Sequence, residues 1–200
     1  MISIGRKIKG YRETFRKYGI DHRALQWNSK QAQELRFKQL VNEIDFEGKN
    51  ILDVGCGFGD IIPFISAKTK NFEYIGVDII PEFLQVAKNK YPKRKFIERD
   101  YFENPIDEMF DIVLTSGTLN ANIKNPYKYR ARAIQVMWEH SNDVVAFNMA
   151  GAYPQLQNKK GNRVYYADLD KIIYFCKTLT TNIIIRKEYR PNDFTIIMFK

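Results

Sequence analysis

Residues 51–60 read ILDVGCGFGD, an apolar run interrupted by one acid and followed by glycines at three alternating positions. An apolar run of this length reads as a strand buried on both faces, as in a parallel sheet. Gly55, Gly57 and Gly59 then allow positive backbone angles and bring main-chain N–H groups close to a ligand without a Cβ in the way. A strand that passes through a glycine turn into a helix opens a parallel α/β sheet, and it constrains everything that follows.

The chain downstream keeps the same alternation. After the turn a helix is predicted to about residue 68, then a strand at YIGVD, a helix opened by Pro81 (PEFLQVAKNK) and a short strand at KFIER. The strand FDIVLTS precedes a helix from Pro126 to Trp138, and DVVAFNM is a further buried strand. The helix LDKIIYFCKTL follows with Asp168 as its N-cap. NIIIRKEY and DFTIIMF are joined only by Arg190, Pro191 and Asn192, too short a link for a parallel crossover, so they are expected to pair antiparallel. The expected fold is α/β: a doubly wound, seven-stranded, mostly parallel sheet with a C-terminal antiparallel hairpin. Ligands then bind beyond the carboxyl ends of the strands.

Upstream, residues 28–44 carry Ala32, Leu35, Leu40, Val41 and Ile44 near helical spacing, with Asn28 or Ser29 as N-cap. Residues 1–45 are read as an N-terminal helical cover segment and 46–200 as the cofactor-binding domain; 200 residues leave no room for two full-sized domains. The basic start MISIGRKIKGYRETFRKYG holds no long apolar run, so neither a secretory leader nor a membrane span is expected, and the location implied is the cytoplasm. Cys56 and Cys176 lack metal-ligand spacing, so no metal and no disulfide framework are expected. The net charge of +9 is spread along the chain. It suits an anionic small substrate, a nucleic-acid partner or a merely basic surface.

Glycine spacing discriminates among nucleotide ligands. A dinucleotide fingerprint requires glycine at position 60; Asp60 stands there, and its charge would repel a pyrophosphate. Asp78 closes the second strand, where an acid can accept both hydroxyl hydrogens of an adenosine ribose. Asp100 ends the third, where a carboxylate can accept from an adenine amino group. Either acid alone also fits a turn or cap role; with Asp53, three acids at successive strand ends beside a glycine turn make a site.

This combination resembles the class I S-adenosylmethionine-dependent methyltransferases, from about residue 50 to the C-terminus. ILDVGCGFG matches the family's first motif, Asp78 its ribose-binding acid and Asp100 its acid near adenine. The resemblance implies a Rossmann-like fold, S-adenosylmethionine as cofactor, Gly55 to Gly59 along its methionyl part, and Ile79 and Tyr101 flanking adenine. DHRALQWNSKQAQELRF together with RPNDFTIIMF is further similar to a small group of bacterial methyltransferases encoded with surface-polysaccharide genes. That similarity implies an N-terminal helix over the cofactor, Arg36 paired with the cofactor carboxylate, and a small-molecule or glycan-precursor acceptor.

Methyl transfer from a sulfonium needs alignment and dryness more than a covalent intermediate. Of two histidines, His140 falls at the amino end of a strand, whereas His22 in the cover segment is the candidate general base. Ser116, Asn120 and Asn148, at strand ends, are candidates to hold cofactor or acceptor, as are Arg163 and Tyr165 in a long loop that also carries Tyr153, Lys159, Lys160 and Tyr166. Asn125-Pro126-Tyr127 is set aside as an amino-methylation motif because it begins a helix, where proline is expected anyway. RNA is an alternative acceptor, although no RNA-binding module is visible, and a non-catalytic cofactor-binding role is the other alternative.

Overall fold

Two helices, α1 (Ile4–Tyr18) and α2 (Lys30–Val41), precede strand β1 (Lys49–Val54). Then come α3 (Ile62–Ser66), β2 (Phe72–Asp78), α4 (Pro81–Lys90) and β3 (Lys95–Glu98). The second half holds β4 (Phe110–Ser116), a 3-10 turn (Thr118–Asn120), α5 (Pro126–Glu139), β5 (Ser141–Ala150), α6 (Leu169–Lys177), β6 (Ile183–Arg186) and β7 (Asp193–Phe199). The computed structural model describes residues 4–151, 163–187 and 189–200.

The seven strands form one sheet in the order β3-β2-β1-β4-β5-β7-β6. All neighbours are parallel except β7, which runs antiparallel to both β5 and β6. The expected mostly parallel sheet with its terminal antiparallel hairpin is therefore present. Winding reverses between β1 and β4, which opens a crevice at their carboxyl ends.

Strand residues alternate between faces. In β1, Ile51 joins the apolar cluster formed with Leu40 and Val41 of α2, Ile65 of α3 and Leu84 and Ala87 of α4. Leu52 and Val54 join the opposite cluster, with Ile134 and Met137 of α5 and Ile172 and Cys176 of α6. Each fully buried aliphatic side chain contributes about 1.5–3 kcal/mol, so the two layers fix the strand register. Ser29 caps α2 by accepting the Ala32 N–H, and Asp168 caps α6 by accepting from Asp170 and Lys171. Such caps contribute about 1 kcal/mol each.

Three elements differ from expectation. The helix after the glycine turn spans only Ile62–Ser66. The hairpin link is longer than three residues because β6 ends at Arg186. The basic N-terminus is itself helix α1, which the sequence reading did not single out. Ile8, Tyr11, Phe15 and Tyr18 recur at helical spacing and pack on a third cluster containing Phe58 and Phe83. Phe83 receives the rings of Tyr11, Phe15 and Phe58 with centroids at 5.8, 5.7 and 5.0 Å. These aromatic pairs, each adding about 0.5–1.5 kcal/mol beyond area burial, seat α1 on α4 and on the glycine loop. Among the described residues no helix is long and apolar enough to cross a membrane.

Candidate active site

Beyond the carboxyl ends of β1, β2 and β4 lies a cavity of about 980 Å³, at the upper end of the range for small-molecule sites. Its floor begins at Gly55, whose φ of +73° suits glycine. A Cβ there would lie 2.1 Å from Thr118 Oγ1, so the turn after β4 is pressed against the turn after β1.

Asp78 locks the loop from the other side. One carboxylate oxygen accepts the Gly57 N–H at 2.9 Å and the other accepts Ile80 N–H at 3.0 Å. Ile79 N–H bonds to it as well, and with about four lone-pair positions the carboxylate can still accept a further donor from the cavity. Gly55, Cys56 and Gly59 also use their N–H groups within the protein. Gly55 and Cys56 donate to Val77 O and Gly59 to Cys56 O. This corrects the expectation of N–H groups turned to a ligand: these glycines let the backbone come close but do not offer those N–H groups to a phosphate. Asp60 is held by Lys90 Nζ at 2.5 Å and Gln33 Nε2 at 3.2 Å. The arrangement suits a nucleoside ligand without a pyrophosphate, as adenosylated methionine is.

Asp53 borders the cavity but is buried, accepting Tyr74 Oη–H at 2.7 Å. Burial pushes its carboxyl up to about 7, the nearby Asp78 charge adding to the rise and the Tyr74 bond opposing it. Burial likewise raises Asp100, which lines the cavity together with Ile79 and Tyr101. Tyr101 packs its ring edge-on against Phe102 and His140.

The segment before β1 also lines the cavity, with Lys7, Tyr11, Leu25, Trp27 and Arg36. Arg36 reaches the cavity but pairs with Asp193 through Nη2, while its guanidinium lies 5.0 Å from the Trp27 ring and its Nε is buried without a partner. Asp193 also binds Arg190 Nε at 3.2 Å. The carboxylate partner expected from the cofactor is thus matched within the protein by Asp193. Lys7 was missed because a basic N-terminus reads as a solvated face; its place four residues before Tyr11 puts both on one face of α1.

On the far side Ser116, Asn120 and Arg163 line the cavity. Asn120 Oδ1 accepts Ala150 N–H at 2.8 Å, while its carbonyl accepts Tyr165 N–H at 2.8 Å and Arg163 O accepts Asn122 N–H at 3.0 Å. A short antiparallel bridge between Ala121 and Val164 holds this wall. Four expected site residues do not line the cavity. His22 sits with Nδ1 3.2 Å from Asp21 Oδ1. Gly59 faces Tyr91. Asn148 is fully buried and accepts Gly117 N–H at 3.0 Å, acting on the turn from beneath. Tyr165 turns its ring to the Arg130 guanidinium, 4.6 Å away. Tyr153, Lys159 and Lys160 lie outside the described residues.

Residues 51–140 match the family model of a methyltransferase domain. A Mycobacterium tuberculosis protein assigned as a methyltransferase is 25% identical over 157 residues, 76% of this chain and 93% of that one. Among solved structures, DhpI in complex with SAM and HEP superposes with a TM-score of 0.70 at 14% identity, over 98% of this chain and 99% of that one. Magnesium protoporphyrin IX methyltransferase from Synechocystis PCC 6803 with bound SAH gives 0.63 at 14% identity, over 100% and 89%. These two likenesses establish the shared fold. The family match spans the glycine loop, Asp78 and Asp100, and together with the mycobacterial relative it supports an S-adenosylmethionine-dependent methyltransferase.

Proposed function

We propose that the chain methylates a polar, anionic small molecule or glycan precursor in the cytoplasm. The observation that carries this reading is that the cavity is lined both by the acids Asp78 and Asp100 and by the cations Lys124 and Arg163. A sulfonium cofactor is drawn to the first and an anionic acceptor to the second. The similarity of residues 21–37 to methyltransferases encoded with surface-polysaccharide genes supports a glycan precursor. In this reading residues 1–45 are the cover over a 46–200 cofactor-binding domain.

Bound cofactor supplies an electrophilic methyl group on a good leaving group, so the protein's main task is alignment and exclusion of water. Asp78 accepts from the ribose hydroxyls and Asp100 from the adenine amino group, with Ile79 and Tyr101 beside the base. Gly55 and Gly57 border the methionyl part, with Arg36 of the cavity lining beside its carboxylate. Asp53, Gly59 and Asn148 shape these turns from behind. Ser116 stands beside the cofactor, and Asn120 and Arg163 face the acceptor.

The test is transfer of labelled methyl from S-adenosylmethionine into fractionated cell extract. Label in anionic small molecules or glycan precursors is expected, with Arg163→Ala raising KM for the acceptor. Label in RNA, lost as salt rises, would overturn the acceptor class.

A further inference from the structure

We propose that Lys7 is the proton acceptor of the transfer, the amine that takes the nucleophile's proton as the methyl group moves; this rests on the methyl-transfer reading above. The position of α1 carries the argument. Tyr11 and Phe15 clamp the helix on Phe83, and Lys7, on the same face as Tyr11, lines the cavity. Its Nζ lies 3.4 Å from Thr118 O, and Thr118 Oγ1 occupies the space that a Gly55 side chain would need. The amine is therefore beside the junction of the β1 and β4 turns, where the winding of the sheet reverses. Lys9 and Lys124 also line the cavity, but both are exposed. Neither histidine lines it.

A lysine serves as a base only when neutral. Burial lowers the proton affinity of Lys7, opposed by Asp78 and Asp100 and assisted by the Arg130 cation on α5. Tyr11 faces Asp78, while Glu103 and Tyr129 act on Asp100, completing the charged and titratable surroundings. A bound sulfonium adds a positive charge to this cavity, and ribose hydroxyls bonded to Asp78 weaken its hold on the ammonium. Both changes drive Lys7 to its neutral form. The acceptor's oxygen or nitrogen then bonds to the methyl carbon as the carbon–sulfur bond breaks, the bonding pair stays on sulfur, and the acceptor's proton passes to the lone pair of Nζ.

The test is calorimetric proton counting, with titrations repeated in buffers of different ionisation enthalpy. S-adenosylmethionine and S-adenosylhomocysteine differ by the methyl group and its charge, so their difference isolates the sulfonium. At a pH within a series of such titrations, S-adenosylmethionine is expected to release up to about one proton more than S-adenosylhomocysteine. Lys7→Met is expected to bind both ligands and abolish the difference. Lys7→Arg, whose cation cannot be discharged, is expected to weaken S-adenosylmethionine about tenfold relative to S-adenosylhomocysteine. Equal proton counts at every pH, or a difference that survives in Lys7→Met, would overturn the assignment. If neither ligand binds the folded wild-type protein, the methyl-transfer reading fails and takes this inference with it, so the two failures are distinguishable.

Discussion

The carboxylate of Asp78 accepts the main-chain N–H of Gly57 at 2.9 Å, joining the end of β2 to the loop after β1. The second oxygen holds Ile80 N–H at the start of α4, so one side chain fixes three segments of the site. Asp78→Asn keeps the shape but must turn an amide N–H toward one of these two donors. It is expected to cost about 1–3 kcal/mol of stability, read from urea midpoints. An unchanged midpoint would mean that the clamp contributes nothing to the fold.

Asp53 gives the protein a pH dependence of defined sign. Its folded carboxyl titrates at about 7, against an ordinary 3.8. The native state therefore keeps a proton that the unfolded chain loses, and stability from this group falls as pH rises from about 4 through about 7. Asp53→Asn can still accept from Tyr74 and cannot ionise. Across that window the variant is expected to gain on the wild type by up to about 4 kcal/mol. A difference in thermal midpoints that stays constant from about pH 4 to about pH 8 would contradict the burial argument.

The Arg36–Asp193 pair ties α2 to β7, and both side chains are largely buried. Asp193→Ala leaves the Arg36 charge without its partner and is expected to destabilise by about 3 kcal/mol in denaturant titrations. Replacing both charges, Arg36→Met with Asp193→Leu, is expected to recover most of that loss. Equal losses in the single and double variants would show that packing, not charge, holds this contact.

The sheet was legible because its inner strands are buried on both faces: residues 51–52, 112–115 and 144–149 are buried throughout, so no solvent-facing position interrupts these apolar runs. The acids were legible because winding order alone puts Asp53, Asp78 and Asp100 at one end of neighbouring strands. Side-chain direction was not. Asn148 sits at a strand end but beneath the turn that it supports, and Tyr165 faces Arg130. Nor was pairing across 157 residues, as between Arg36 and Asp193, because no local pattern records it. Helix α1 was readable in principle from Ile8, Tyr11, Phe15 and Tyr18, but its many cations masked the stripe.

The most direct test of the central claim is calorimetric titration of the purified protein with S-adenosylhomocysteine, with NADH and Asp78→Ala as controls. Selective binding of S-adenosylhomocysteine is expected, weakened by about 1–3 kcal/mol in the variant as the ribose hydrogen bonds are lost. No binding to the folded wild-type protein, or equal affinity in wild type and variant, would contradict the account.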